Sequence, residues 1–206
     1  YWMASEDHDF EEISYFKLYG KKHTWETDQK GGVGRFDPKG LKNIIADLPG
    51  DISVFENAYL KHNNLSDAVR YYVNELFGKE GLVVIDADDR TLKSQLTEII
   101  EDDLFSHTAK AKVEATNTAL NEEGYSTQVH ARDINFFYLT DGLRSRLEKT
   151  TDGFSVVDTD IQFTDDQIRD MIKNEPEKFS PNVILRPLYQ EVILPNLAYF
   201  GGPAEV

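Results

Sequence analysis

The sequence predicts an α/β fold: a core with a mostly parallel sheet over residues 1–125 and 164–206, interrupted by a small antiparallel β insert at 126–163. Three observations predict it. Stretches of helical period alternate with short apolar runs, the pattern from which layered α/β domains are built. Leu82-Val83-Val84-Ile85 is a continuous, β-branched apolar run, which reads as a parallel strand buried on both faces. From 126 the runs shorten, and Asp141-Gly142 and Asp152-Gly153 stand between them as hairpin turns.

Taken in order, residues 1–5 are apolar and read as the end of a buried strand, followed by the polar run Glu6, Asp7, His8 and Asp9. Residues 13–19 and 22–27 alternate loosely about Gly20 and form a hairpin. Gly31, Gly32 and Gly34 make a loop; they lack the strand-then-helix context of a dinucleotide fingerprint. Residues 38–48 form a short helix ended by Pro49-Gly50, and 52–62 and 65–77 are helical by period, the second capped near Ser66 and Asp67. The buried strand 82–85 follows. A long helix over 92–121, with a break near Asp102-Asp103, stops at Gly124. In the insert, Val129, 134–139, 143–147 and 154–157 are strands. Thr164 caps a helix to Asn174, with Asp165 and Asp166 in its first turn. Val183 to Leu185 reads as a short strand feeding a helix. Pro187 sits in the first turn of that helix, and Leu185, Leu188, Tyr189 and Val192 line its core face. Pro195 ends it, 196–200 reads as another strand, and Gly201-Gly202-Pro203 opens a further helix with Glu205 in its first turn.

The chain has 206 residues, enough for one sizeable domain or a core with an insert. Its formal net charge of −15 disfavours a sequence-independent grip on nucleic acid or on an anionic membrane, both of which need basic surface. It has no cysteine, which excludes disulfides, thiolate metal sites and a cysteine nucleophile, and fits a cytoplasmic location. No apolar run approaches the ~20 residues of a membrane span, and no signal peptide is visible. Both ends read as cuts through predicted elements, which makes the chain an expected internal piece of a longer polypeptide. The 206 residues alone are expected to bind weakly and turn over nothing.

Three constellations can do chemistry. Glu6, Asp7, His8 and Asp9 put a histidine among carboxylates, either an acid–base or cation-binding group or a solvated acidic turn. No His-x-His or His-x-x-x-His pair occurs, so no histidine-rich metal site is expected. Asp86-Ala87-Asp88 follows a predicted strand as in D-x-D phosphatases, but Arg90 occupies the position such a motif gives to Thr or Val. The alternative is that Asp88 or Asp89 caps the helix from Thr91. In the third, Arg186 and Gln190 are four apart and share a helix face. An arginine in an apolar run must meet an anion: Asp7, Asp86 or Glu205, or a substrate carboxylate or phosphate.

The opening string Trp2-Met3-Ala4-Ser5-Glu6-Asp7-His8-Asp9-Phe10-Glu11-Glu12 and the closing string FSPNVILRPLYQEVILPNLAYFGGPAEV, residues 179–206, resemble the two signatures of the bacillithiol biosynthesis cysteine-adding enzymes. The resemblance implies a Rossmann-like core similar to that of class I aminoacyl-tRNA synthetases. It implies a ligase that adds L-cysteine to glucosaminyl-malate, with ATP-type activation of the cysteine carboxylate and Mg²⁺ as the accompanying ion. It implies Asp7, His8 and Asp9 as the acid–base group. Substrate contacts would come from Glu6, Asp86, Asp88, Arg90, Arg186, Gln190, Tyr199, Gly201, Gly202 and Glu205. The three clusters would converge in one cleft at the C-terminal edge of the parallel sheet. Neither a HIGH-like nor a KMSKS-like nucleotide motif occurs in standard form. The family's longer chains imply a homodimer through a C-terminal helical segment beyond residue 206. A phosphatase-like hydrolase using Asp86 and Asp88, or a non-catalytic acidic binding domain, are the competing readings.

Overall fold

The computed structural model describes residues 12–18, 21–127, 129–194 and 196–198. The chain divides into two compact units: Tyr1–Asp89 with Tyr138–Ser145, and Arg90–Phe137 with Arg146–Val206. The predicted strand at 1–5, the acidic run after it and the predicted helix from 201 lie outside the described residues.

The first unit opens with the predicted hairpin, β1 (Glu12–Leu18) paired antiparallel with β2 (Lys21–Glu26), its register shifting between Ile13 and Phe16. Tight turns at Val33–Arg35 and Pro38–Leu41 lead into α1 (Lys42–Ala46), with the Asp37 carboxylate accepting from the Lys39 N–H at 3.0 Å. The stretch read as one helix at 52–62 is α2 (Ser53–Phe55) continued by a wider π-turn, Glu56–Leu60. Next comes α3 (Leu65–Phe77), capped by Asn64, whose side-chain oxygen accepts from the Asp67 N–H at 2.7 Å. The cap falls two residues before Ser66 because Asn64 is the last extended residue, φ −143° and ψ 160°. Trp25, Val33, Phe36, Leu41, Ile45, Ala58, Tyr59, Leu65 and Ala68 form this unit's core.

Leu82-Val83-Val84-Ile85 is not a buried strand: the four residues lie outside every strand, and Val83 is 77% exposed. A strand covered on both faces is stabilised only by neighbours that take its N–H and C=O groups and layers that cover its side chains. Among the described residues no strand pairs with it.

The second unit begins with α4 (Arg90–Lys93), a tight turn at Ser94–Leu96, and α5 (Thr97–Phe105). The predicted break in the long helix falls at Ser106-His107, a few residues later than read, where His107 adopts φ 56°. Then α6 (Thr108–Glu122) runs to Gly124 and buries no residue. The strands of the larger sheet are β3 (Phe136–Thr140), β4 (Leu143–Thr150), β5 (Gly153–Val156), β6 (Gln162–Phe163) and β7 (Phe179–Pro181), in the order β6-β5-β4-β3-β7, of which residues 138–140 and 143–145 belong to the first unit. Both pairs with a defined register, β4 with β5 and β5 with β6, are antiparallel, so the sheet is antiparallel and not mostly parallel. The reason is local: short turns at Asp141-Gly142 and Thr151-Asp152 let consecutive strands pair only antiparallel, whereas parallel pairing needs a long crossover. Three further strand readings fail: Val129 lies outside every strand, Val183 to Leu185 is a turn and the strand is 179–181, and of the stretch 196–200 the described part, Asn196 to Ala198, is irregular with Leu197 fully exposed.

Between β6 and β7, α7 (Asp165–Asn174) is capped as predicted. Thr164 accepts from Gln167 N–H at 3.2 Å and Gln167 accepts from Thr164 N–H at 2.8 Å, a reciprocal capping box. Its apolar stripe buries Ile168, Met171 and Ile172. The last described helix is α8 (Arg186–Ile193), with Pro187 in its first turn as expected. No helix of the described residues is long and apolar enough to cross a membrane.

Candidate functional site

In the first unit, Asp88 faces a cation that the sequence did not single out. Arg35 Nε donates to Asp88 Oδ2 at 2.6 Å and Arg35 Nη2 to Asp88 Oδ1 at 3.2 Å, a two-point fork. Arg35 Nη1 donates to Asp141 Oδ1 at 3.2 Å. Burial alone would lower the pKa of Arg35, but the hydrogen bond and charge of Asp88, then Asp141, raise it above its ordinary value. Asp86 Oδ1 accepts from the Asp88 N–H at 2.9 Å, a side-chain turn that holds the acidic loop. This differs from what a D-x-D phosphatase requires. The nucleophile should stand at a strand end, and 82–85 is not a strand, while Asp88 forks onto an arginine instead of standing ready for Mg²⁺. The Gly31–Gly34 loop is no phosphate cradle either. Gly31 has φ +95°, and a Cβ there would lie 2.8 Å from the Leu143 backbone nitrogen, so the loop is closed by its own chain. Neither of these two loops presents a phosphate cradle, and Gly201 and Gly202 lie outside the described residues.

In the second unit, Arg90 Nη1 donates to Glu177 Oε1 at 3.2 Å, and Nη2 donates to the Asn174 carbonyl, the last of α7. A guanidinium on a helix's free C-terminal carbonyl satisfies an orphan acceptor. Lys93, with no exposed surface, donates from Nζ to the Glu177 carbonyl at 3.3 Å. Arg186 is the first residue of α8 and Gln190 lies one turn on. Both are half-buried, beside the buried Leu185 and Tyr189. The shared helix face predicted for Arg186 and Gln190 is therefore present. Arg186 has an interaction of its own, so it is not a bare charge.

Of the predicted site residues, Glu6, Asp7, His8, Asp9, Tyr199, Gly201, Gly202 and Glu205 lie outside the described residues. Asp86 and Asp88 belong to the first unit; Arg90, Arg186 and Gln190 belong to the second. Arg35, Lys93, Asp103, Asn135 and Asn182 are not among the predicted site residues, yet the structure gives each a polar partner. Asp103 had a signal: it falls on the stripe Leu96, Ile100, Leu104 and is 1% exposed. Asn135 N–H donates to its Oδ2 at 2.6 Å and Asn135 Nδ2 to its Oδ1 at 3.0 Å. Burial pushes the Asp103 carboxyl pKa up, opposed by the two Asn135 hydrogen bonds and the charge of His107.

The whole chain, residues 1–206, matches the family model described as "Bacillithiol biosynthesis BshC, N-terminal Rossmann-like domain". Curated relatives named "Putative cysteine ligase BshC" are similar along the full chain. The Cytophaga hutchinsonii and Flavobacterium johnsoniae proteins are each 46% identical, over 206 and 216 residues. The Salinibacter ruber protein is 34% identical over 226 residues. All of this chain is covered, but it spans only 40–41% of those relatives' length. With the whole of its sequence matching one family model and its identity to these relatives spread end to end, the chain belongs to the bacillithiol biosynthesis BshC family, in its N-terminal Rossmann-like domain.

Proposed function

We propose that the polypeptide carrying this domain is a ligase that joins L-cysteine to glucosaminyl-malate through an amide bond, in the cytoplasm. The observation that supports this best is the 46% identity, along all 206 residues, to relatives named as cysteine ligases. Amide formation from a free acid needs a leaving group on the carboxylate, which an ATP-type activation with Mg²⁺ supplies. The amine of glucosaminyl-malate then attacks the cysteine carbonyl carbon, the C–N bond forms, the leaving group departs, and the amine proton passes to a base. Asp7, His8 and Asp9 are proposed for that proton, because a histidine beside carboxylates titrates near neutral pH. Arg186 is proposed to receive a substrate carboxylate, with Gln190 donating beside it. Guanidinium and carboxylate match in charge and in two-point geometry, and the first turn of a helix favours an anion. Glu6, Asp86, Asp88, Arg90, Tyr199, Gly201, Gly202 and Glu205 complete the proposed substrate contacts. Pairing through a C-terminal helical segment and inactivity of the 206 residues on their own belong to the same proposal.

The test is Arg186→Ala in the full polypeptide, with thermal melting beside an assay of cysteine-dependent product formation from glucosaminyl-malate. Loss of most activity at an unchanged melting temperature is expected. A drop of ~3–5 kcal/mol in stability would instead mark Arg186 as half of a structural ion pair. A variant that melts and turns over like the wild type refutes the assignment.

A further inference from the structure

A continuous hydrogen-bonded chain runs through the second unit and ends on the first turn of α8. It starts at Asp103, whose carboxylate takes both the backbone and the side-chain N–H of Asn135, itself 1% exposed. The remaining groups of Asn135 are also filled. Its Nδ2 donates to the Arg132 carbonyl at 2.9 Å, and its Oδ1 accepts from Arg132 N–H at 3.2 Å. That Oδ1 also accepts from Asn182 Nδ2 at 3.0 Å, and the Asn135 carbonyl accepts from Asn182 N–H at 2.9 Å. Asn182 then turns outward to the helix. Its Oδ1 accepts from Ile184 N–H at 2.8 Å, and its carbonyl accepts from Leu185 N–H at 3.2 Å and Arg186 N–H at 2.9 Å.

We infer that the Asp103–Asn135–Asn182 chain is a positioning relay: it fixes where α8 begins and therefore where Arg186 and Gln190 stand. The inference rests on the reading that these two residues bind a substrate carboxylate. An amide whose every donor and acceptor is engaged, as in Asn135, has one orientation, and Asn135 in turn holds Asn182 and the turn between β7 and α8. A buried carboxylate at the head is a costly group to place in a core, and it does what a neutral side chain does not. It offers two acceptors to the two N–H groups of Asn135 and leaves no donor facing a donor. His107 brackets the same corner, its Nδ1 lying 3.0 Å from the Asp103 carbonyl and 2.7 Å from that of Asp133. Asn182 is the joint: one end of its amide belongs to the relay and the other to the helix start.

That division makes Asn182→Asp the informative variant in the full polypeptide. The carboxylate keeps the acceptor for Ile184 N–H and removes the donor to Asn135 Oδ1. The expected result is a displaced first turn of α8 in the crystal structure of N182D. The KM for glucosaminyl-malate should rise by roughly tenfold or more with kcat changed much less, since a misplacement of ~1 Å can cost ~10²-fold. Asn182→Ser, which can accept locally but is too short to reach Asn135, should reproduce the split. An α8 that keeps its place overturns the inference, whatever the activity. So does a displaced α8 with an unchanged KM when Arg186→Ala does raise that KM, or a failure of both variants to fold, which would make the chain a folding element only. Arg186→Ala measured alongside separates the two proposals: if that variant alters neither KM nor kcat, the carboxylate reading falls while the crystal structure still judges the relay.

Discussion

Removing Asp88 should cost much more stability than removing Asp141, although both carboxylates touch the same arginine. Asp88 takes two hydrogen bonds from Arg35, at 2.6 and 3.2 Å, and its side chain is 17% exposed against 27% for Arg35. Asp141 takes one, at 3.2 Å, with a side chain 97% exposed. Breaking a fully buried pair by removing one partner costs ~3–5 kcal/mol, and an exposed pair contributes ~0–1. At this intermediate burial, Asp88→Ala should cost about 2 kcal/mol. In a domain of this size each kcal/mol lowers Tm by ~2–4 °C, so the expected drop is ~4–8 °C. Asp141→Ala should leave Tm within error, because water screens its charge and solvates what it leaves behind. Thermal unfolding followed by circular dichroism reads both. A double-mutant cycle with Arg35→Ala isolates the pair, and a coupling of ~1 kcal/mol or more is expected for groups in direct contact. Equal losses for the two aspartates, or a coupling near zero, would refute the argument that burial and the two-point geometry set the strength of this contact.

Ile168 has no exposed surface, so Ile168→Ala should destabilise the second unit by ~2–5 kcal/mol through lost burial and an unfilled cavity, read by urea unfolding. Gly31→Ala should cost more than Gly142→Ala: both have positive φ, but only the Cβ at 31 would strike backbone, at 2.8 Å from Leu143 N, and calorimetry of the two variants should rank them so. Asp103 should give an acid-side gain. Its folded pKa lies above the unfolded value, so the stability it contributes is fully present below the unfolded pKa and is lost as pH rises through the folded one. Wild type should therefore gain on Asp103→Asn as pH falls from neutral through the carboxylate range, in urea titrations at several pH values. Asp133, whose pKa is lowered by its hydrogen bond from Lys110, contributes with the opposite sign in both proteins and cancels in the difference.

What the sequence alone determined is what is decided within a few residues. The hairpin at β1 and β2, the Thr164 cap of α7, Pro187 in the first turn of α8, and the Asp-Gly turn between β3 and β4 all rest on contacts between near neighbours in the chain. The shared face of Arg186 and Gln190 likewise follows from helix pitch. The family followed from two long strings of residues, which needed no geometry. Tertiary structure decided the rest. Residues 82–85 have every local property of a buried strand, yet burial is conferred by neighbours, and among the described residues no strand pairs with them. Arg35 meets Asp88 across 53 positions, Asp103 meets Asn135 across 32, and Asn135 meets Asn182 across 47. No period links residues so far apart, and a polar side chain gives the same local signal whether it ends in water or on a buried partner. Asp103 breaks an apolar stripe, but what it holds could be known only once β3 and β7 had been brought beside it.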